Sequence, residues 1–163
     1  FDVLDDAGRP ISAASQTGGL NNELRDSDLL RNHIITRTRK TSMDRFKALK
    51  QGENFHALDQ SLMINTYTDP SRTQNTIYLR LDYDQPCGTV VNVRKSMWVH
   101  PVLDRALRIR EAARLQTFPD SFVFTGTKDQ QYQQVGNAVP PIMARAVAEC
   151  LAEQLDKIDG AHS

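Results

Sequence analysis

The sequence predicts an α+β chain of short strands and short helices that closes on one long helix. Three observations carry this. Residues 77–83 (IYLRLDY) alternate apolar and polar side chains, and residues 88–99 (GTVVNVRKSMWV) are rich in β-branched types, so both read as strands. Met43, Phe46 and Leu49 recur at helical spacing. Residues 140–158 place Met143, Val147, Cys150, Leu151, Leu155 and Ile158 on one face of a long helix.

Taken in order, residues 1–30 are rich in Asp, Gly, Ser and Asn and read as a loop or linker. A short amphipathic helix follows over 41–49, ended by Gly52 near its C-cap. A second covers 55–63, and TYTDPSRTQN is a polar loop broken at Asp-Pro. The two strands flank a turn at residues 86–88. Pro101 then breaks the chain, REAARLQTF is helical, and Pro119 stops it. Residues 119–127 read as a turn and a short extended piece. Pro140 and Pro141 are tolerated by the last helix because they sit in its first turn.

Composition narrows the function classes. No apolar run approaches the roughly 20 residues of a membrane span, and no signal-peptide pattern is present. The expected setting is therefore the cytoplasm, nucleoid-associated in a bacterium, or the nucleus in a eukaryote. Cys87 and Cys150 are the only cysteines, too few for a disulfide framework or, with so few histidines, a zinc site, so no metal is expected. The chain begins at Phe1, which suggests a part of a longer protein or a processed piece.

The formal net charge of zero hides a split. Residues 1–30 hold six acidic and two basic residues, whereas residues 31–50 hold seven basic and one acidic. That basic run is a candidate phosphate-binding stripe, with a solvated face as the alternative. Cys87 raises a separate question. A thiol directly after Pro86 could be a nucleophile held on a tight turn, or only a small residue in a strand.

Two segments are far more specific. HPVLDRALRIREAARLQTFPDSFVF (100–124) and QQVGNAVPPIMARAVA (133–148), in this order, resemble motifs IX and X of the DNA cytosine-5 methyltransferases. The family forms are His-Pro, a spacer and LTxREAARLQxFPD, then QxGNAVPP leading into the final helix. Upstream, YLRLDYDQPCGTVV is similar to the YxRLxxDxPxxTI of the family's target-recognition domain, and NHIITRTRK…GENF to its NH…R…G.N stretch. The resemblance covers about three quarters of the chain. One departure stands out: the Thr of LTxRE is Arg108, which removes one half of a Thr-x-x-Glu capping box and leaves Glu111.

The resemblance implies a division of labour. Residues 1–30 would be an acidic linker or loop, residues 31–99 the small target-recognition domain, and residues 100–163 the motif IX and X region. The last helices would complete a Rossmann-like domain that binds S-adenosylmethionine. Thr89 aligns with the family Thr that contacts the backbone beside the flipped nucleotide. Arg37, Arg39 and Lys40 are candidate DNA-phosphate contacts. Asn137, Ala138 and Val139 align with residues that close one side of the donor site. Gly136 would allow a sharp turn and Asn137 would cap the final helix. Arg110, Glu111 and Arg114 would organise motif IX. His100 would shape the His-Pro turn, and Trp98 would be core.

The family's donor loop (Phe-x-Gly-x-Gly), its nucleophile in Pro-Cys-Gln, its Glu-Asn-Val acid and its Gln-x-Arg-x-Arg pair do not occur in the sequence. No catalytic residue is therefore assigned within this chain. Cys87 is followed by Gly88, and its surroundings match the recognition domain, so Thr89 is the functional residue of that stretch. The expectation is a C-terminal half, partnered by duplex DNA and by an N-terminal half or subunit that carries the catalytic Cys. Two rivals are a non-catalytic DNA-binding or partner-binding remnant, and an autonomous enzyme using Cys87.

Overall fold

A computed structural model describes residues 2–3, 9–10, 23–63, 72–91 and 93–160. It is mixed and helix-rich, with few strands. Four two-residue strands, β1 (Asp2–Val3), β2 (Arg9–Pro10), β3 (Leu29–Leu30) and β4 (Ile35–Thr36), form two antiparallel ribbons, β1 with β4 and β2 with β3. The helices are α1 (Lys40–Ala48), α2 (Gln60–Met63), α3 (Val93–Ser96), α4 (Ile109–Leu115), α5 (Lys128–Asn137) and α6 (Pro141–Gly160). Parts of the segment expected to be a linker thus pair backbone to backbone with residues 29–30 and 35–36. The expected polar loop at 66–75 lies largely outside the described residues.

Two apolar clusters hold the fold. The larger packs Ile34, Trp98, Leu107, Ile109, Phe124 and Val135 together, with Trp98 fully buried as expected. It takes residues from both sides of position 100. The smaller gathers Phe46, Phe55, Tyr78 and Val99. Between them runs Arg80, only 4% exposed, whose guanidinium donates to the carbonyl of His100 (2.9 Å) and pairs with Asp104 (2.6 Å).

The two strands expected at 77–83 and 88–99 are not formed. Tyr78 and Met97 adopt left-handed backbone (φ 53° and 54°), and the pairing is limited to single bridges, Arg80 with Val99 and Val99 with Ala106. The alternating apolar residues at 77–83 have another cause: Ile77 packs against the smaller cluster, Leu79 and Leu81 serve the larger, and Tyr83 is exposed. Two cores, rather than two faces of a sheet, impose the period. The β-branched run likewise gives way to α3, where Val93 drops into the larger cluster.

The helix expected over 55–63 is split. A 3-10 turn at Phe55–Ala57, capped by the Asn54 side chain, is followed by the separate α2. The helices expected near 41–49, over REAARLQ and over the C-terminal run are present as α1, α4 and α6. Helix α5 was not anticipated.

Candidate nucleic-acid interface

Motif IX is a clamp built on two residues. Asn32, fully buried, sits in the left-handed region (φ 56°), which Asn tolerates better than most side chains. Its amide donates to the Phe124 carbonyl (2.8 Å) and the Gln131 side chain (2.9 Å), and its oxygen accepts from the Phe124 N–H (3.0 Å) and Arg110 (3.1 Å). Arg110, also fully buried, donates further to the carbonyls of Arg31 (3.0 Å) and Pro119 (2.9 Å), and its guanidinium lies 5.6 Å from the Phe124 ring centre. Arg114 holds Asp120 through two bonds, 2.9 and 2.6 Å. The clamp fixes the chain entering the basic stripe against α4 and α5.

The start of α4 shows what the loss of Thr at position 108 does. Glu111 accepts from the Arg108 backbone N–H (2.9 Å), so half of the capping box survives. A guanidinium has no acceptor, so Arg108 makes no return bond. Glu111 is instead held by both terminal nitrogens of Arg105, 2.7 and 2.6 Å. Burial disfavours its ionised form, but the Arg105 bonds and the Arg108 N–H outweigh it and keep the carboxyl below its usual range. The arginine that replaces Thr reaches across to His33 Nε2. Burial, then the Arg108 charge, push the His33 imidazole down to about 4, so it is neutral near pH 7.

His100 does shape the His-Pro turn: its Nδ1 accepts from the N–H groups of Val102 and Leu103, both at 3.1 Å. Burial foremost, with nearby arginines, lowers its pKa.

Motif X is joined to motif IX through Gln116, whose amide donates to the carbonyls of Val135 (3.2 Å) and Ala138 (3.1 Å). Asn137 is the last residue of α5, with its oxygen held by Gln133 (2.6 Å), and Gly136 lies inside that helix. Neither the sharp turn at Gly136 nor the Asn137 cap of the final helix is formed. The entry to α6 is tied instead by Thr117, whose hydroxyl accepts from the Ile142 N–H (3.3 Å). Ala138 packs against the larger core, while Val139 is 61% exposed.

From Val139 the exposure continues along α6, through Met143, Val147, Leu151, Leu155 and Ile158, each more than half exposed. Cys87 is half-buried against the core, and burial raises its thiol pKa, the opposite of an activated nucleophile. Its neighbour Val90 is buried, whereas Thr89 faces solvent.

Of the basic stripe, Arg37 and Arg39 are exposed and line one cleft of about 370 Å³ together with Arg94 and Lys128. Lys40, the first residue of α1, is exposed outside it. Sequence reasoning missed Arg94 and Lys128. Helix α5 had a visible signal, the capping box Thr127-x-x-Gln130, in which Gln130 accepts from the Thr127 N–H (2.8 Å). Among the described residues no helix is long and apolar enough to cross a membrane, and no cluster suits a metal ion.

Comparisons with known proteins agree with these landmarks. The type II methyltransferase M.AquIB of Picosynechococcus is 36% identical over 142 residues, covering 80% of this chain and 94% of that relative. The type II methyltransferase M.DdeI of Desulfomicrobium norvegicum is 31% identical over 150 residues, 85% of this chain but 36% of the relative. This chain thus spans nearly all of one relative and about a third of the other. Among solved structures, one described as a prophage DNA modification methyltransferase (E. coli) superposes with a TM-score of 0.69 at 25% identity, over 96% of this chain and 42% of that one. The family model for C-5 cytosine-specific DNA methylases matches residues 12–153, and the chain belongs to that family.

Proposed function

We propose that this chain is the C-terminal, target-recognising portion of a DNA cytosine-5 methyltransferase, and that it works with an N-terminal half that holds the nucleophilic cysteine and the donor loop. The observation that carries this reading is the apolar face of α6. It begins at motif X and leaves Val139, Met143, Val147, Leu151, Leu155 and Ile158 exposed. Burying such side chains is worth on the order of 1 kcal/mol or more apiece, so an open stripe of them marks an interface. The coverage supports it: the chain spans about a third of M.DdeI, yet nearly all of M.AquIB. The family therefore includes a relative that extends little beyond the region matched by this chain.

In this reading the clamp of Asn32, Arg110 and Arg114 holds the recognition segment at a fixed angle to α4 and α5. Arg37, Arg39 and Lys40 face phosphates, and Thr89 contacts the backbone beside a cytosine turned out of the duplex. Flipping costs a few kcal/mol of lost stacking, repaid by such contacts. S-adenosylmethionine, when bound, supplies the methyl group. Asn137, Ala138 and Val139 fit one wall of its site, because Val139 offers an exposed apolar side chain and Gln116 and Gln133 hold the flanking backbone and amide still. The remaining walls and the attack on C6 belong to the N-terminal half.

The test is association. The chain mixed with a family N-terminal half should form a one-to-one complex in sedimentation, and Val147→Glu with Leu151→Glu should abolish it. A chain that stays alone would speak for a remnant with no catalytic partner, and a complex indifferent to both substitutions would contradict α6 as the interface.

A further inference from the structure

We infer that the cleft between the end of the basic stripe, α3 and the start of α5 is a phosphate site, in which Arg94 and Lys128 join Arg37 and Arg39 on one phosphodiester of the DNA backbone. This rests on the proposed DNA-directed function and adds two residues from outside the stripe. The four cations come from three separated stretches of chain, and the cleft lining includes no carboxylate. Like charges gathered around a concave surface focus potential there, which favours an anion. The two tyrosine hydroxyls of the wall are already committed. Tyr78 OH is engaged by Arg45 (3.1 Å) and Ser42 (3.2 Å), and Tyr132 OH donates to the Leu107 carbonyl (2.7 Å). The cations Arg37, Arg39, Arg94 and Lys128 supply the positive charge of the lining.

Their placement is built rather than incidental. Lys128 is only 7% exposed at the first position of α5, and α5 is anchored through Gln131 to the Asn32 clamp. Arg94 is ion-paired with Asp129, which lies on the flank of the cleft and ties α3 to α5. A phosphate entering the cleft competes with Asp129 for Arg94. The clamp that organises motif IX thereby also sets the distance between the basic stripe and Lys128. A cleft of about 370 Å³ is roomy enough for a tetrahedral anion with its water.

The test measures duplex DNA binding by the full chain across a salt series. Each cation that meets a phosphate adds about 0.9 to the slope of log affinity against log salt. Arg37→Gln and Arg94→Gln, both at exposed positions, should each weaken binding by a similar factor on unrelated sequences and make the slope shallower by about one. Lys157→Gln, on α6, should leave the slope unchanged. Circular dichroism confirms that the variants fold. A duplex-binding chain whose slope responds to Arg37→Gln but is indifferent to Arg94→Gln would overturn the cleft while leaving the DNA reading intact. Absence of duplex binding would overturn both. If inorganic phosphate at low salt shifts the cleft's NMR resonances but duplex affinity ignores both variants, the site serves a free anion and the inference fails.

Discussion

Arg110 donates to the side-chain oxygen of Asn32 at 3.1 Å across 78 residues of chain, and both are fully buried. That bond is the point where residues 31–32 meet α4. Removing Arg110 takes a donor from the Arg31, Pro119 and Phe122 carbonyls, of which Pro119 keeps the Phe122 N–H (3.1 Å). Arg110→Leu should cost about 3–5 kcal/mol, the usual range for breaking a buried charged network, read as a lower midpoint in urea unfolding.

Asn32 separates backbone from side-chain effects. Asn32→Gly keeps the left-handed conformation at φ 56° available, whereas Asn32→Ala adds strain there. Both lose the bonds to Phe124, Gln131 and Arg110. Both variants should lose at least about 2 kcal/mol, with Ala worse by up to about 1–2 kcal/mol. Equal stability of the two by chemical denaturation would contradict a role for the backbone conformation.

Acid should loosen the same region. The His33 imidazole is held at about 4, against 6.5 for an ordinary histidine. Between those values the unfolded chain takes up a proton that the folded chain refuses. Stability therefore falls as pH drops from about 6.5 to about 4 and is complete above it. Glu111, with its pKa lowered, adds loss at still lower pH, as protonation undoes the Arg105 pair. His33→Gln removes the titration and keeps an acceptor for Arg108, so thermal melts of this variant should depend less on pH between 6.5 and 4.

Cys87 should behave as a structural thiol. Its pKa is raised by burial, while Cys150 is exposed on α6. Iodoacetamide near pH 7.5 should label Cys150 first, as mass spectrometry of the peptides will show. Cys87→Ser should leave methylation by the reconstituted enzyme within about twofold, because a nucleophile would cost orders of magnitude. Thr89→Val, in contrast, should weaken duplex binding.

The sequence disclosed helices whose apolar residues recur at helical spacing: α1 and α4 bury theirs, and α6 leaves its face exposed. It concealed α5, whose buried face includes Lys128 and Gln131 beside Tyr132 and Val135. Hydrophobic periodicity cannot register a helix docked partly through amide bonds, such as Gln131 to Asn32 and to the Gly126 carbonyl. It also misread 77–83, where alternation reflects residues shared between two cores. Arg110 and Arg114 were singled out through the resemblance of their segment to the family's motif IX. Arg94 and Lys128 were not, since nothing local links them to Arg37 until the fold brings them to one cleft.

Methyl transfer by two purified polypeptides tests the central claim most directly. Labelled S-adenosylmethionine and duplex DNA are offered to this chain alone, to an N-terminal half bearing the Pro-Cys-Gln nucleophile alone, and to the two mixed. Label should enter cytosine only in the mixture. Transfer by this chain alone, or none from a mixture whose two parts are folded and associated, would contradict the account.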